Sequence, residues 1–237
     1  MSHARVDDGA GRAAGARFDY DGDGLAEDQL LATPYAQARQ WVDDAVARSQ
    51  VERDVFEPLA VSVATVDAAG VPNVRTVLMR FLDERGPGFV TALTSAKGRE
   101  IEANPVMAVA LTWPAMYRAI RFRGRAVMVD RSEVLEYWHS RPWASRISAW
   151  TSQQSEPVGS RTDLEEAYAR RAAEFPDTGS EEDVPVPDFW GGYRVVPDEV
   201  EFWAGRRNRL HDRLVFTRAG DGDLGDAASW PVHRRQP

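Results

Sequence analysis

Cysteine is missing altogether from this chain of 237 residues. The absence excludes disulfide bonds, thiolate metal sites and cysteine nucleophiles, and it is typical of proteins of the reducing cytoplasm. Only four histidines are present, and two of them lie near the termini, which argues against a histidine-rich metal centre. No apolar run of ~18 residues and no apolar segment typical of a signal peptide is found. We therefore expect a cytoplasmic protein with neither a membrane span nor a signal peptide.

Positive charge is also in deficit, because the formal net charge is −8. A general nucleic-acid-binding protein carries an excess of basic residues, so that class is not expected. Of the 29 basic residues only Lys97 is a lysine. Residues 19–24 imitate the opening of a calcium loop, but Leu30 stands where its twelfth-position glutamate is required, so we expect no metal.

Several catalytic signatures are absent as well. The chain has no Gly-x-Ser-x-Gly elbow, no Walker phosphate loop, no Rossmann glycine fingerprint and no His-Glu-x-x-His. Recognition of anions and of aromatic rings remains as the expected chemistry.

What is present is the pattern of an antiparallel β protein. Residues 1–16 lack a periodic apolar pattern and are expected to be a disordered tail, and residues 17–237 a single domain. Alternation predicts strands at 59–66, 73–82, 89–93, 107–112, 118–129, 194–196, 199–204, 213–217 and 230–233. Helices are predicted at 34–48, 95–102, 131–139, 145–152 and 162–175, the last beginning with a capping box at 162–165.

These segments predict the fold class. Strands joined by short hairpins, without an alternation of strand and helix, favour a mainly β fold with peripheral helices, built as a small closed or split antiparallel barrel. The first three strands are expected to form a meander. On the strand 118–129, Arg121, Arg123 and Arg125 share one face, for which a solvent-facing or subunit-facing surface is favoured over a ligand site.

The stretch 201–213 concentrates arginines with Trp203 and His211 on a predicted strand, turn and strand. Arginine offers a rigid fork of donors for phosphate or carboxylate, tryptophan a ring for a planar heterocycle, and histidine a group that exchanges a proton near neutral pH. The segment therefore suits a planar, phosphorylated ligand. A solvated basic hairpin is the alternative.

Six stretches together resemble the pyridoxamine 5′-phosphate oxidase family. They are the opening segment from Arg17, Arg75–Arg80, Thr94–Gly98, Tyr137–Pro142, Gln153–Ser155 and Phe189–Arg194, followed by the Arg-Leu-His-Asp-Arg run at 209–213. The resemblance extends from about Arg17 to Pro237. It implies a split β-barrel homodimer that holds flavin mononucleotide (FMN) between the subunits and oxidises pyridoxine or pyridoxamine 5′-phosphate to pyridoxal 5′-phosphate. Dioxygen is the acceptor.

The resemblance also implies roles for particular residues. Flavin contacts are implied for Arg75, Val77, Leu78, Arg80, Thr91, Ser95, Lys97, Gln154, Ser155, Trp203 and Arg213. Substrate contacts are implied for Arg17, Tyr20, Arg80, Tyr137, Arg141, Ser145, Arg209 and His211, with Arg209 and His211 catalytic over the pyridine ring. Arg17 and Tyr20 would close over the site as a lid. The spacing of four between Tyr137, Arg141 and Ser145 predicts one helix face. Structural packing is the alternative for Tyr137, Trp203 and His211.

Four positions depart from the family pattern, among them Val90, which replaces a frequent tyrosine. Arg80 stands where a lysine is usual, Ala96 where a basic residue is common, and Ala119 where a glutamine bonds the flavin. We hypothesise that Arg121, on the same strand face as Ala119, compensates. These departures keep open a related FMN oxidase of phenazine type, which acts on a non-phosphorylated dihydroaromatic or amine substrate. A non-catalytic flavin-binding protein is a third possibility.

Overall fold

The computed structural model describes residues 19–237, so Arg17 and the expected tail at 1–16 lie outside the described residues. Nine strands and five α-helices make up this part of the chain. The strands are β1 Ala60–Val66, β2 Pro72–Leu78, β3 Phe81–Asp83, β4 Gly86–Ala92, β5 Val106–Trp113, β6 Arg118–Met128, β7 Trp190–Ala204, β8 Asp212–Thr217 and β9 Val232–Arg234. The helices are α1 Pro34–Val51, α2 Ala96–Ala103, α3 Arg131–Ser140, α4 Trp143–Thr151 and α5 Arg161–Glu174.

The strands form one antiparallel sheet in the order β2-β1-β5-β6-β7-β4-β3, with β8 paired to β7 and β9 to β8. The two ends of this order, β2 and β3, are joined along the chain by Met79 and Arg80 alone. The sheet must therefore curl until its opposite edges meet. Backbone bonds from Met79 N to Leu59 O and from Arg80 N to Gly88 O continue both ladders across this joint. The expected split antiparallel barrel with peripheral helices is confirmed.

Two strand predictions need correction. The segment 73–82 is not one strand, because its first part pairs with β1 and its last part with β4, so the predicted meander holds only as two hairpins at opposite ends of the sheet. Conversely, 194–196 and 199–204 belong to the single strand β7. Pro197 interrupts its ladder without ending it, because a register shift at Arg123 and Gly124 of β6 accommodates the missing donor.

Three of the five α-helices, α1, α2 and α5, begin at a residue whose side chain caps the helix. Thr33 caps α1 by accepting the amide of Ala36 at 3.1 Å, with Pro34 in the first turn, as predicted. The predicted capping box at 162–165 is wrong, because α5 begins at Arg161, one residue earlier, where Ser160 accepts the amide of Asp163 at 3.0 Å. None of the helices within residues 19–237 has the length and apolar character that crossing a bilayer requires.

Two apolar clusters hold the fold. The larger fills the curled sheet and is closed by α1, whose Trp41 packs edge-on against Phe202 of β7. The smaller joins α3 and α4 to the start of β7 around Trp138 and Trp190, whose ring centres are 5.4 Å apart. Polar and charged side chains of the predicted site lie around both clusters.

Candidate functional site

Lys97 lies in the first turn of α2 with only 5% of its surface exposed. Its Nζ is 2.8 Å from Gln154 Oε1, 3.1 Å from Thr91 Oγ1 and 3.2 Å from Ser95 Oγ. Ser95 also caps α2, as predicted. The structure thus brings four of the predicted cofactor residues into one group, called the Lys97 cluster below.

Burial lowers the pKa of Lys97 to about 8. The nearby positive charge of Arg75 lowers this pKa further, whereas Glu100 opposes the shift. The Lys97 ammonium group has three neutral oxygen acceptors in place of water. A negatively charged ligand beside it would stabilise its protonated form. The cluster is therefore suited to a strongly anionic ligand.

Arg75 reaches the edge of the Lys97 cluster from β2. Its guanidinium donates to Glu100 Oε2 at 2.6 Å and to Thr65 Oγ1 at 2.5 Å. Burial alone would raise the pKa of Glu100, but hydrogen bonds from Thr65, Asn73 and Arg75 hold it below its usual value. Glu100 was not predicted as a site residue. Its position one helical turn after Lys97 is the signal that would have indicated it.

The remaining predicted cofactor residues near this cluster are less engaged. Val77 and Leu78 are partly buried on β2, and Val77 packs against the larger core. Ser155 is exposed and has a positive φ of 78°. It follows Gln154 directly in the turn after α4.

Arg141 lies between two aromatic rings. Its Cζ is 4.5 Å from the ring centre of Trp190 and 5.2 Å from that of Trp138. Its Nη2 donates to the backbone oxygen of Ser145 at 2.8 Å, whereas Nη1 is buried and has no partner among the described residues. An unpaired buried guanidinium nitrogen is costly, and an anion would satisfy it.

Tyr137 and Arg80 complete this second group. The Arg80 guanidinium lies 5.5 Å from the centre of the Tyr137 ring. Burial lowers the pKa of Arg141; Tyr137 opposes that shift, and the charge of Arg80 adds to it. The predicted single helix face is wrong, because Pro142 separates α3 from α4 and holds Arg141 in an extended conformation. Tyr137, Arg141 and Ser145 nevertheless lie close together, at the break between α3 and α4. Together with Arg80 they are called the Arg141 pocket.

A third group surrounds His211 at the end of β7. The rings of Trp203 and His211 are 4.7 Å apart, and the ring of Tyr20 meets both edge-on, at 5.9 and 5.1 Å. His211 Nδ1 accepts the backbone N–H of Arg206 at 3.1 Å, so the neutral ring carries its proton on Nε2. Burial, then the charge of Arg209, lowers the pKa of His211 against the opposing effect of Asp212. The imidazole is therefore neutral at pH 7.

The loop that precedes His211 contains two residues in the left-handed region. Asn208 has a φ of 58° and Arg209 a φ of 61°. For a residue with a side chain this conformation costs of order 1 kcal/mol and is enriched at functional sites. Arg209 is exposed, and its charge acts on the neighbouring His211.

Arg213 lies on β8 and is held by a buried carboxylate. Its Nη2 is 2.8 Å from Glu201 Oε2, and Arg121 Nη2 lies 2.7 Å from the same oxygen. Ala119 pairs with Trp203 across β6 and β7. Arg121 is thus gathered beside Arg213, near Ala119, whereas Arg123 and Arg125 are exposed. Glu201 was also not predicted.

The predicted residues therefore assemble into three groups rather than one cleft. No hydrogen bond, ion pair or ring contact between residues 19–237 joins the Lys97 cluster to the group of Trp203, His211 and Arg213. None of these residues forms a cluster of potential metal ligands in the described part of the chain.

Two family models match this chain. The family model described as pyridoxamine 5′-phosphate oxidase matches residues 47–172. A second, described as the pyridoxine 5′-phosphate oxidase C-terminal dimerisation region, matches residues 190–237.

Curated relatives match over nearly the whole chain. A pyridoxine/pyridoxamine 5′-phosphate oxidase of Kineococcus radiotolerans is 46% identical over 94% of this chain and 98% of its own length. A protein of the same description from Pseudomonas paraeruginosa is 43% identical over 88% of this chain and 94% of its own.

Among solved structures, PhzG of Burkholderia lata, in complex with tetrahydrophenazine-1-carboxylic acid, has a TM-score of 0.77 and 30% identity, covering 91% of this chain and 99% of its own. A pyridoxamine 5′-phosphate oxidase-related, FMN-binding protein of Nostoc punctiforme has a TM-score of 0.64 at 17% identity. It covers 88% of this chain and all of its own, and at that identity the likeness concerns the fold alone.

Proposed function

Because this chain belongs to the pyridoxamine 5′-phosphate oxidase family, we propose that it is an FMN-dependent oxidase that converts pyridoxine or pyridoxamine 5′-phosphate to pyridoxal 5′-phosphate. Dioxygen is the acceptor in this proposal, and the cytoplasm is the place of the reaction. The matched relatives and the geometry of the three groups support it.

The unpaired Nη1 of Arg141 is the observation that carries the proposal. The charge of a second guanidinium, that of Arg80, acts on Arg141, and the Arg80 guanidinium lies 5.5 Å from the centre of the Tyr137 ring. Two neighbouring cations repel one another unless a negative group separates them. A phosphate monoester supplies two negative charges and several acceptor oxygens, so it fits the Arg141 pocket better than a neutral substrate does.

The Lys97 cluster fits the phosphate of the cofactor. Lys97 and Arg75 would supply charge, and the hydroxyls of Thr91 and Ser95 and the side-chain amide N–H of Gln154 would donate to the phosphate oxygens, because these groups already surround the ammonium group. When bound, FMN supplies the acceptor for the hydride. Trp203 and Arg213 would contact the flavin from the other group, and Val77, Leu78 and Ser155 from the side of β2 and α4.

His211 and Arg209 would orient the vitamer ring. Since Nδ1 already accepts the Arg206 amide, the free edge of His211 is Nε2–H, which donates to an oxygen substituent of the ring. Taking up the proton that the reaction releases would require His211 to give up the bond from Arg206. Tyr20 would cover the site and exclude water from it, as its packing on His211 suggests.

A homodimer would bring the separated groups together. The outer face of β1, β2 and β5 carries small side chains, with Val74 64% and Val106 47% exposed. The match to a dimerisation region at residues 190–237 supports a second copy of this chain as its partner. In such a dimer the Lys97 cluster of one protomer would complete its site with the Trp203 group of the other.

A phenazine-type oxidase is the second candidate. The similarity to PhzG favours it, and so does Ala119, which cannot form the flavin contact that the family pattern implies. The Arg141 pocket opposes it, since a non-phosphorylated substrate would leave the two guanidinium groups without a dianion.

Oxidase assays on the purified protein test the proposal. We expect a yellow protein that produces peroxide with pyridoxine 5′-phosphate, and we expect Arg209→Ala and His211→Ala to keep the colour while losing most turnover. Arg207→Ala is the matched control in the same loop, because Arg207 bonds the exposed Asp21. A yellow protein that is inert toward both phosphorylated vitamers but oxidises a dihydrophenazine would favour the second candidate. A colourless protein that cannot be reconstituted with FMN would exclude both.

A further inference from the structure

Asp212 is a buried carboxylate directly after His211 in sequence, and 6% of its surface is exposed. Three donors from different parts of the chain converge on it. Leu25 N–H donates to Oδ2 at 2.9 Å, Arg206 Nε bonds the same oxygen, and Arg234 Nη1 bonds Oδ1. Burial alone would raise the pKa of Asp212, but these donors hold it below its usual value, so the group is ionised.

Arg206 links this carboxylate to His211. Its side chain binds Asp212, and its backbone N–H donates to His211 Nδ1. The orientation of the imidazole and the position of its proton thus depend on a residue that Asp212 holds in place. Asp212 itself has no need to touch the substrate.

Asp212 also holds the segment 19–27. The bond from Leu25 fixes this segment next to the site, and Glu27 bonds Arg234 at 2.7 Å, so the same arginine reaches both Asp212 and the segment. Tyr20, which packs on Trp203 and His211, lies five residues before Leu25. One carboxylate therefore connects the covering segment to the loop that it covers.

We propose that Asp212 is a positioning residue for the vitamer site, which holds the His211 loop through Arg206 and the Tyr20 segment through Leu25. The inference rests on the proposed function for its effect on turnover, although the connection between the two segments is a property of the chain alone. An exposed contact between the same segments, from Arg207 to Asp21, offers a matched comparison, because both of its side chains are largely in solvent.

The experiment compares Asp212→Asn, Asp21→Asn and the wild type, each loaded with FMN. For Asp212→Asn we expect unchanged flavin absorption, a fall of about tenfold or more in kcat/KM for pyridoxine 5′-phosphate, and faster hydrogen exchange in peptides covering residues 19–27. Asp21→Asn should change kcat/KM by less than about twofold, because exposed ion pairs contribute little.

Arg206→Ala is the second variant, because the Arg206 side chain is 43% exposed and Asp212 keeps its bonds from Leu25 and Arg234 when that side chain is removed. It should lower kcat/KM severalfold, and Arg206→Lys should recover part of the loss by keeping a cation beside Asp212. Wild-type kcat/KM in both Asp212→Asn and Arg206→Ala, or unchanged exchange at residues 19–27 in Asp212→Asn, would overturn the proposal. A wild type without vitamer oxidase activity would instead refute the proposed function, while the exchange measurement would still decide whether Asp212 connects the two segments.

Discussion

Lys97 and Arg141 are both largely buried cations, but their surroundings differ. Lys97 already has three oxygen acceptors within 3.2 Å, whereas Arg141 has one nitrogen bonded to a backbone oxygen and another without a partner. An anion that binds Lys97 must replace existing hydrogen bonds, and it must keep Lys97 protonated although burial lowers the pKa of this residue. An anion that binds Arg141 can accept a hydrogen bond from Nη1 without displacing another partner of that nitrogen. The net contribution of each cation to ligand affinity should differ accordingly.

Removing Arg141 should produce the larger effect. Arg141→Ala takes away Nη1, a charged donor without a hydrogen-bond partner in the described residues, and a charged hydrogen bond to a ligand is worth up to ~3 kcal/mol. We expect kcat/KM for pyridoxine 5′-phosphate to fall about a hundredfold while FMN affinity stays unchanged. Steady-state kinetics with pyridoxine as the comparison substrate provides the check, because the preference for the phosphorylated form should largely disappear. A preserved preference would mean that Arg141 does not bind the phosphate.

Removing Lys97 should weaken ligand binding less than removing Arg141 does. It should also stabilise the cofactor-free protein. Lys97→Met should weaken FMN binding about tenfold, because Arg75 remains beside the cluster. Since the methionine carries no charge that burial penalises, the cofactor-free protein should gain about 1 kcal/mol after the lost hydrogen bonds are counted. Fluorescence titration with FMN and thermal unfolding of the cofactor-free protein measure the two quantities. A loss of stability would show that the hydrogen bonds outweigh the burial penalty.

The pKa of Lys97 predicts how FMN affinity changes with pH. The free protein loses the Lys97 proton as pH rises through about 8, whereas the phosphate-bound form keeps it. Binding therefore takes up a proton above pH 8, and FMN affinity should fall severalfold between pH 7 and pH 9, toward the value of Lys97→Met. Titrations at pH 7, 8 and 9 should show this slope in the wild type and lose it in the variant. An equal slope in both would assign the effect to another group.

The smallest effect on FMN affinity is expected from Ala119 on β6, which pairs with Trp203 on β7. Ala119→Gln restores a neutral donor and acceptor beside Trp203 and should tighten FMN binding about threefold, since such a bond contributes ~0.5–1.5 kcal/mol. If Arg121 compensates for Ala119, Arg121→Ala should weaken FMN binding, whereas the exposed Arg123→Ala should not. Unchanged affinity in Arg121→Ala would refute the compensation.

The sequence was informative where a local pattern determines the structure. Alternating side chains predicted β1, β5 and β6, and the Thr33–Pro34 pair predicted the start of α1. The division of the segment 73–82 was not predictable, because it depends on pairing with β1 and β4, which are not local to it. Pro142 in the sequence indicates the break between α3 and α4. The spacing of four between Tyr137, Arg141 and Ser145 predicts one continuous helix face and does not take this proline into account.

The candidate site was predicted mainly through its cations. Lys97, Arg75 and Arg141 lie in polar or aromatic surroundings, as an anion site requires. The carboxylates Glu100, Glu201 and Asp212 were missed, although each lies within reach of a predicted residue. A carboxylate that orients a cation has no sequence pattern of its own, since any acid at suitable distance serves and only the folded chain determines that distance.

The two-residue joint between β2 and β3 has a consequence for the ligands. Arg75 stands before this joint, beside Lys97, and Arg80 stands within it, beside Tyr137. Five residues of extended chain span at most roughly 17 Å, so the backbone limits how far apart the Cα atoms of Arg75 and Arg80 can lie within a protomer. A shift of the joint would therefore move both arginines together, and with them the edges of the Lys97 cluster and of the Arg141 pocket.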